Sequence, residues 1–396
     1  MTTGFSGRRS RRGFLRTMSG LVGLGLLPQR AGAVAKSPAA AAPLFTDVTA
    51  AAGLMGARNV SGRPDDKQLI LEEMGGGAAF FDYDNDGWPD IYVACDTAPS
   101  LLYHNNRDGT FREIGVPAGC AFDSEGAALA GMGVGVGDFD GDGWLDIVRT
   151  NFSEQVTALY RNYGGGAFEE VSLRAGLGVN RKYLGFGVDF FDFDNDGWDD
   201  IFLANGHVYS QIAKKNLHLK YREPKLLYRN LGNGRFEDVS SKAGPAILAE
   251  NLGRGCAFGD FDNDGDLDVV VNCVNDFPQL LRCDTTLKNN WIKVRTIGTK
   301  SNRSGIGARL RCVTRVAGEE RAHAQIDEVR SGGGYFSQND LRIHFGIGAA
   351  EKVELLEIRW PSGQVDALKD LQANRLYYVT EEKGITRTES FPARAG

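Results

Sequence analysis

The sequence predicts an all-β protein: a four-bladed β-propeller over residues 44–285, closed by its own amino-terminal strand, and a small β-sandwich over 286–383. Three observations predict it. An acidic nonapeptide recurs four times, and each copy leads into a short β-branched run instead of an amphipathic helix. In 396 residues, 52 glycines stand against 5 methionines. That balance suits turn-rich sheets, and recurrence at a spacing of several tens of residues marks stacked supersecondary units.

In chain order, residues 1–35 read as an export signal and 36–43 as an Ala/Pro-rich linker. Ser10-Arg11-Arg12-Gly13-Phe14-Leu15 precedes an apolar run from Met18 to Leu27, then the small-residue sites Ala31-Gly32-Ala33 and Ala33-Val34-Ala35. A basic start, a short apolar core and an A-x-A site make a cleavable signal, too short to anchor in a bilayer. The paired arginines resemble a twin-arginine signal. That resemblance implies a bacterial protein folded before export, then periplasmic or secreted, with no membrane span once the signal is removed. Removing the six arginines of residues 1–33 lowers the formal charge from −6 by six, to −12. So acidic a chain is no partner for nucleic acid, which demands a basic surface.

The nonapeptide reads D-x-D-x-D-G-x-x-D in all four copies, beginning at Asp82, Asp138, Asp192 and Asp260. Polar turns between strands would explain one such loop, but not four of identical spacing. Four carboxylates within nine residues repel one another unless a cation lies between them. Oxygen donors in this number suit Ca²⁺, and the glycine at position 6 allows the sharp turn that an EF-hand loop also requires. The loop departs from an EF-hand by ending in Asp at position 9 and by continuing into a strand.

Around each loop the same units recur. A Gly-x-Gly strand leads in (Gly75-Gly76-Gly77, Gly131-Met132-Gly133, Gly185-Phe186-Gly187, Gly253-Arg254-Gly255). After the loop and its strand comes a third strand: Leu102-Tyr103-His104-Asn105, Leu159-Tyr160-Arg161-Asn162, Leu227-Tyr228-Arg229-Asn230 and, more weakly, Leu280-Leu281-Arg282-Cys283. A fourth begins at Phe111, Phe168 and Phe236. The last copy lacks this strand, and a spare one, Phe45-Thr46-Asp47-Val48, stands near the start of the chain. Moving it to the last blade closes a ring with no free edge. An open array with further blades is the alternative. The loop spacings of 56, 54 and 68 residues fit one four-stranded blade each, with an insertion from Gly206 to Lys225 in the third.

These units resemble the FG-GAP/VCBS blades of integrin α-subunit propellers, though those have seven blades. The resemblance implies one structural Ca²⁺ per loop, about four in all. Its ligands would be Asp82, Asp84, Asp86 and Asp90; Asp138, Asp140, Asp142 and Asp146; Asp192, Asp194, Asp196 and Asp200; and Asp260, Asp262, Asp264 and Asp268. Trp88, Trp144, Trp198 and Asp266 would add backbone carbonyls.

From Asn289 the pattern changes to strands of period two: Trp291–Arg295, Ala308–Val313 and Val353–Trp360. Gly305-Ile306-Gly307-Ala308, Ser331-Gly332-Gly333-Gly334-Tyr335, His344-Phe345-Gly346-Ile347-Gly348 and Trp360-Pro361-Ser362-Gly363 resemble the ASPIC/UnbV domain. The whole exported chain is similar to the cartilage acidic protein family and its bacterial relatives. Residues 384–396 read as a polar tail.

No nucleophile elbow, phosphate loop, HExxH or Rossmann fingerprint is present. Every strong motif belongs to metal binding, so an exported calcium-dependent module for protein or glycan ligands is the leading expectation. The alternative is an enzyme, a lyase or cyclase on a sugar or secondary metabolite, working in the propeller channel. Asp189, Glu250 and Arg254 are its candidate residues, and His207 with Tyr209 opens a candidate ligand lip. Cys95, Asn151, Asn205 and Cys273 occupy equivalent places. In a closed ring, Cys95 and Cys273 would face each other as thiols, a disulfide or a soft-metal pair.

Overall fold

The computed structural model describes Ala51 and residues 76–391, apart from 216, 217, 286 and 319. The signal, the linker and the spare strand at Phe45–Val48 lie outside the described residues, as does Gly75. What is described is all-β.

Four antiparallel sheets carry the repeats. The first runs β1 (Ala78–Phe81), β2 (Asp90–Val93), β3 (Leu101–Asn105), β4 (Phe111–Glu113), each strand bonded to the next. The second repeats this order with β5 (Val134–Gly137), β6 (Asp146–Arg149), β7 (Ala158–Asn162) and β8 (Phe168–Glu170). The third uses β9 (Gly185–Phe191), β10 (Asp200–Asn205), β11 (Leu226–Asn230) and β12 (Phe236–Asp238). The fourth has three strands among the described residues: β13 (Gly253–Gly259), β14 (Asp268–Cys273) and β15 (Gln279–Leu281). Every acidic loop is the turn of its first hairpin, in one register: Phe81, Gly137, Phe191 and Gly259 pair with Asp90, Asp146, Asp200 and Asp268.

The first strands lie side by side, β5 against β1 and β9, and β13 against β9. Two of the lead-in glycines show why the approach is close. A Cβ on Gly133 would lie 1.9 Å from the Phe186 carbonyl oxygen, and one on Gly187 would lie 2.6 Å from that of Arg254. Larger residues would force the inner strands apart.

The asparagines ending β7 and β11 stitch neighbouring sheets. Asn162 Nδ2 donates to Tyr83 O at 2.8 Å, and Asn230 Nδ2 to Phe139 O at 2.7 Å. Cys283, which holds the same place in the fourth sheet, puts its Sγ 3.4 Å from Phe193 O. Phe168 packs on Tyr83 and Phe236 on Phe139. The fourth-to-first version of this bridge is not made among the described residues. Asn105 Nδ2 turns to Pro89 O, and Phe261, its counterpart in the fourth loop, is exposed.

The carboxy-terminal strands are β16 (Asn290–Ile297), β17 (Arg309–Thr314), β18 (His323–Glu328), β19 (Ile343–Gly348), β20 (Lys352–Arg359), β21 (Val365–Gln372), β22 (Arg375–Thr380) and β23 (Gly384–Ser390). They form two sheets, ordered β19-β16-β22-β23 and β18-β17-β20-β21, with β16 and β22 parallel. Between them lies a core that includes Val294, Leu310, Phe345, Leu356, Ile358 and Trp360. Residues 384–390, expected as tail, are strand β23 paired along β22. Their polar sequence hides this because an edge strand gains its stability from the backbone ladder.

The connection from β18 to β19 leaves the sandwich and threads among the repeat sheets. Gly334 and Val134 exchange backbone bonds, Asp340 N donates to Phe258 O at 2.9 Å, and Arg330 Nη2 donates to Val136 O at 3.0 Å. Tyr335 packs edge-on against Phe186 with ring centres 5.0 Å apart. The space between inner strands, expected as an open channel, therefore holds part of the chain itself.

Candidate metal centres on the repeat loops

Each acidic loop is first a hydrogen-bonded turn. The position-1 carboxylate accepts the N–H groups of positions 5 and 6: Asp82 from Asp86 and Gly87, at 3.0 and 2.8 Å. Asp138, Asp192 and Asp260 do the same with Asp142/Gly143, Asp196/Gly197 and Asp264/Gly265. Position 9 accepts the N–H of position 2 on one oxygen, as Asp146 does from Phe139 at 3.1 Å. Its other oxygen takes the N–H of Asn105, Asn162 or Asn230 at the end of the third strand, or of Cys283 just beyond β15. Trp88, Trp144, Trp198 and Asp266 at position 7 donate their N–H to the position-5 carboxylate. Position 6 has φ from 89° to 106° in the four copies, which explains its glycine.

This scaffold brings carboxylate oxygens within 4.8 Å of one another. The convergent sets are Asp138/Asp140/Asp146, Asp192/Asp194/Asp200 and Asp260/Asp262/Asp268, and in the first loop Asp82/Asp84/Asp86 and Asp84/Asp90/His104. Position 5 joins a convergent set only in the first loop. In the second and third loops, Asp142 and Asp196 are drawn to Arg161 and Arg229.

The donor chemistry fits a divalent cation. At position 3, one carboxylate oxygen meets a basic side chain: Asp140 pairs with Arg161, Asp194 with Arg229 at 2.6 Å, and Asp84 stands 3.5 Å from His104 Nδ1. The other oxygen, Oδ1 in Asp84, Asp140 and Asp194, is buried without a hydrogen-bond partner. A buried orphan acceptor costs about 1–3 kcal/mol, more for a charged group, and a cation at the convergence point would remove that cost. Burial also pushes Asp90 up to about 8 and Asp138 up to about 7, and holds Asp146, Asp192 and Asp200 well above the carboxylate range. The clusters could therefore hold metal ions, as FG-GAP-type loops commonly do with calcium.

The sandwich sits on these loops. Arg309 reaches Asn85 and donates to Gly143 O at 2.9 Å. His323 Nε2 meets Gly197 O at 2.7 Å, and His344 Nε2 meets Asn195 Oδ1 at 2.6 Å. Arg342 Nη1 donates to Asn263 Oδ1 at 2.7 Å, and buried Lys293 pairs with buried Asp260. In the fourth loop the basic partner, Lys293, meets position 1, whereas Arg161 and Arg229 of the third strands meet positions 3 and 5 in the second and third loops. Arg282 at the equivalent place pairs with Asp284 instead.

The other sequence candidates have local partners. Asp189 accepts from Asn339 Nδ2 at 2.7 Å, and burial pushes it up to about 6. Arg254 donates to the carbonyls of Gly206 and Gly253 and lies over the Phe186 ring. Glu250 pairs with Lys220 and not with Arg254. His207 is fully buried, its Nδ1 accepting the Tyr209 N–H at 3.0 Å, so it does not form a lip. All six cysteines are unpaired, and Cys95 lies near Arg149 while Cys273 lies near Lys225. Sequence reasoning passed over His104, Arg161 and Arg229 as partners of the loops, although the Leu-Tyr-[His/Arg]-Asn repeat places a basic residue at one spot each time. Lys293, Arg309 and Arg342 carried no comparable signal.

Comparison with known proteins places these features in context. Residues 298–386 match the ASPIC and UnbV family, and residues 82–149, 138–203 and 221–271 match the FG-GAP-like repeat. Cartilage acidic protein 1 from Homo sapiens is 28% identical over 281 residues, covering 70% of this chain and 39% of that protein. The Xenopus tropicalis protein of the same name is 28% identical over 286 residues, covering 71% and 41%. The chain thus spans about two fifths of the length of these relatives. Among solved structures, a lectin from Agrocybe aegerita recognising non-reducing terminal N-acetylglucosamine overlaps 52% of this chain and 51% of its own, with a TM-score of 0.29 and 19% identity. The V. cholerae biofilm matrix protein Bap1 overlaps 80% and 49%, with a TM-score of 0.29 and 12% identity.

Proposed function

We infer, from the premise that this chain is one of the proteins joining FG-GAP-like repeats to an ASPIC and UnbV domain, that it is an exported, calcium-stabilised binding module for an extracytoplasmic protein or glycan. The repeat sheets are the blades of a propeller. In each loop positions 1, 3 and 9 supply carboxylates and position 7 a carbonyl to one Ca²⁺, and position 5, which converges with them only in the first loop, turns from its arginine to the ion in the second and third. The calcium reading rests on the orphaned Oδ1 atoms of Asp84, Asp140 and Asp194, each buried in a loop whose carboxylates converge. Bound calcium supplies charge neutralisation; the chain's own carboxylates hold the turn open for it.

The segment from Arg330 to Asp340 favours binding over catalysis inside the ring. It fills the space between inner strands and ties up Asp189, leaving the outer surfaces for ligands. No helix among the described residues is long and apolar enough to cross a membrane.

The test is a thermal melt of the exported chain with Ca²⁺ and with chelator, alongside metal analysis. One site binding only the folded state adds about 2.7 kcal/mol at a hundredfold excess over Kd, so several sites should raise Tm by many degrees. An unchanged Tm in a protein that retains no calcium would overturn the metal reading.

A further inference from the structure

Three of the acidic loops carry tryptophan at position 7, and one of these indoles is uncovered. Trp88 is 47% exposed, while Trp144 and Trp198 are partly buried. Their cover is the turn that follows the third strand of the same sheet. A Cβ on Gly164 would fall 2.6 Å from the Trp144 ring, and one on Gly232 would fall 2.9 Å from that of Trp198, so each indole lies against a bare glycine. In the first sheet the same place belongs to Arg107. Its N–H donates to Asn105 Oδ1 at 2.9 Å, as those of Gly164 and Gly232 donate to Asn162 and Asn230. A Cβ there leaves the Trp88 indole no such seat.

Arg107 holds this place at a conformational cost. Its φ of 63° is left-handed, like the 74° of Gly164 and the 66° of Gly232, a region that suits glycine and not a long side chain. Such strain gathers where a side chain is put to use. The guanidinium is half-exposed and donates its Nε–H, at 2.8 Å, and one Nη2–H to Asp86. Of its five N–H groups, the remaining three, borne by Nη1 and Nη2, have no partner among the described residues. Asp86 also accepts the Trp88 N–H at 2.7 Å, so one carboxylate holds the two residues side by side.

We propose that Trp88 and Arg107 form a binding site for a uronate residue of an acidic glycan, with the C–H face of the sugar on the indole and its carboxylate on the free guanidinium edge. An indole offers broad apolar contact at little conformational cost. A guanidinium edge matches a carboxylate with two parallel hydrogen bonds. A pyranose ring bearing a carboxyl group satisfies both at once. Calcium in the first loop offsets the aspartates that would otherwise repel such a ligand. The site rests on the reading of the chain as a calcium-stabilised binding module, and it names the class of ligand.

The experiment titrates the calcium-saturated exported chain with a glucuronate-bearing tetrasaccharide, followed by calorimetry and tryptophan fluorescence, and repeats the titration with the carboxyl-reduced, neutral form. Metal analysis runs alongside. The acidic sugar should bind and change the fluorescence. The neutral form, Trp88→Ala and Arg107→Gly should each weaken binding by roughly tenfold or more, the scale of losing a charge-assisted bond or an aromatic platform. Arg107→Gly installs the residue of the sister turns, so its Tm should hold or rise while affinity falls, which separates a lost contact from a damaged fold. Equal binding by wild type and either variant, or of the acidic and neutral sugars, would overturn the proposal. So would an aspartate-rich peptide that binds with this variant pattern where the sugar does not, which would assign the site to an acidic protein segment. Calcium uptake without sugar binding overturns this site alone, and a chain that takes up no calcium overturns the reading beneath it.

Discussion

Asn339, carried by the sandwich, donates to Asp189 on the inner strand of the third sheet at 2.7 Å, and its carbonyl oxygen accepts the Phe258 N–H of the fourth sheet at 3.1 Å. One side chain thereby ties two repeat sheets to the domain that follows them. Asn339→Ala removes the partner of Asp189 Oδ2 and of the Phe258 N–H, while Asp189 Oδ1 keeps the Phe190 N–H, a loss expected at about 1–3 kcal/mol. Asn339→Asp should cost more, because a second carboxylate would face Asp189. Urea unfolding with an unchanged slope and a lowered midpoint is the expected record.

The stitching asparagines separate bridges between sheets from bridges within one. Asn162 and Asn230 each span to a neighbouring sheet, whereas Asn105 bonds within its own. Asn162→Ala and Asn230→Ala should each cost about 1–3 kcal/mol, and Asn105→Ala clearly less. Equal losses at all three would show that the intersheet bonds contribute nothing.

Lys293 and Asp260 are both buried and paired. Lys293→Met removes the ammonium and leaves the carboxylate alone, which for a buried pair costs about 3–5 kcal/mol. Calcium in the fourth loop would compensate part of that charge. The loss should therefore be larger in chelator than in calcium, and denaturant titrations under both conditions measure the difference.

Glu381 reports on the sandwich through pH. Burial alone would raise its pKa, but the Ser362 and Ser301 hydroxyls and the N–H groups of Ser301, Thr299 and Lys300 hold it down to about 2. With the folded pKa below the ordinary 4.5, the unfolded chain binds more protons between those values. Its contribution is therefore complete above about pH 4.5 and is lost as pH falls toward 2. Glu381→Gln should lower stability at neutral pH by roughly 2 kcal/mol, the scale of a charge-assisted hydrogen bond, and flatten this part of the acid profile.

Local spacing made the repeat legible. Gly87, Gly143, Gly197 and Gly265 need left-handed backbone, the alternate aspartates need one face of a turn, and the β-branched run after each needs a strand. All of this is satisfied within about a dozen residues, so it shows in the letters. The partners of the loops were half legible: Arg161 and Arg229 recur in register, but their reach across to positions 3 and 5 depends on how the third strand is laid down. Strand β23 escaped notice because Thr386, Arg387 and Thr388 carry no apolar alternation and depend on pairing with β22.

By itself the sequence determined that four like turns would gather carboxylates at the ends of four hairpins, and that a second β-rich unit would follow. Only the tertiary structure decided that this second unit would seat Lys293, Arg309, His323, Arg342 and His344 on those turns and send Arg330–Asp340 between the inner strands. Turn chemistry is a short-range property of backbone dihedrals and neighbouring donors. The seating of one domain on another is a match of shape and charge between residues 33 to 224 positions apart, and no spacing along the chain encodes it.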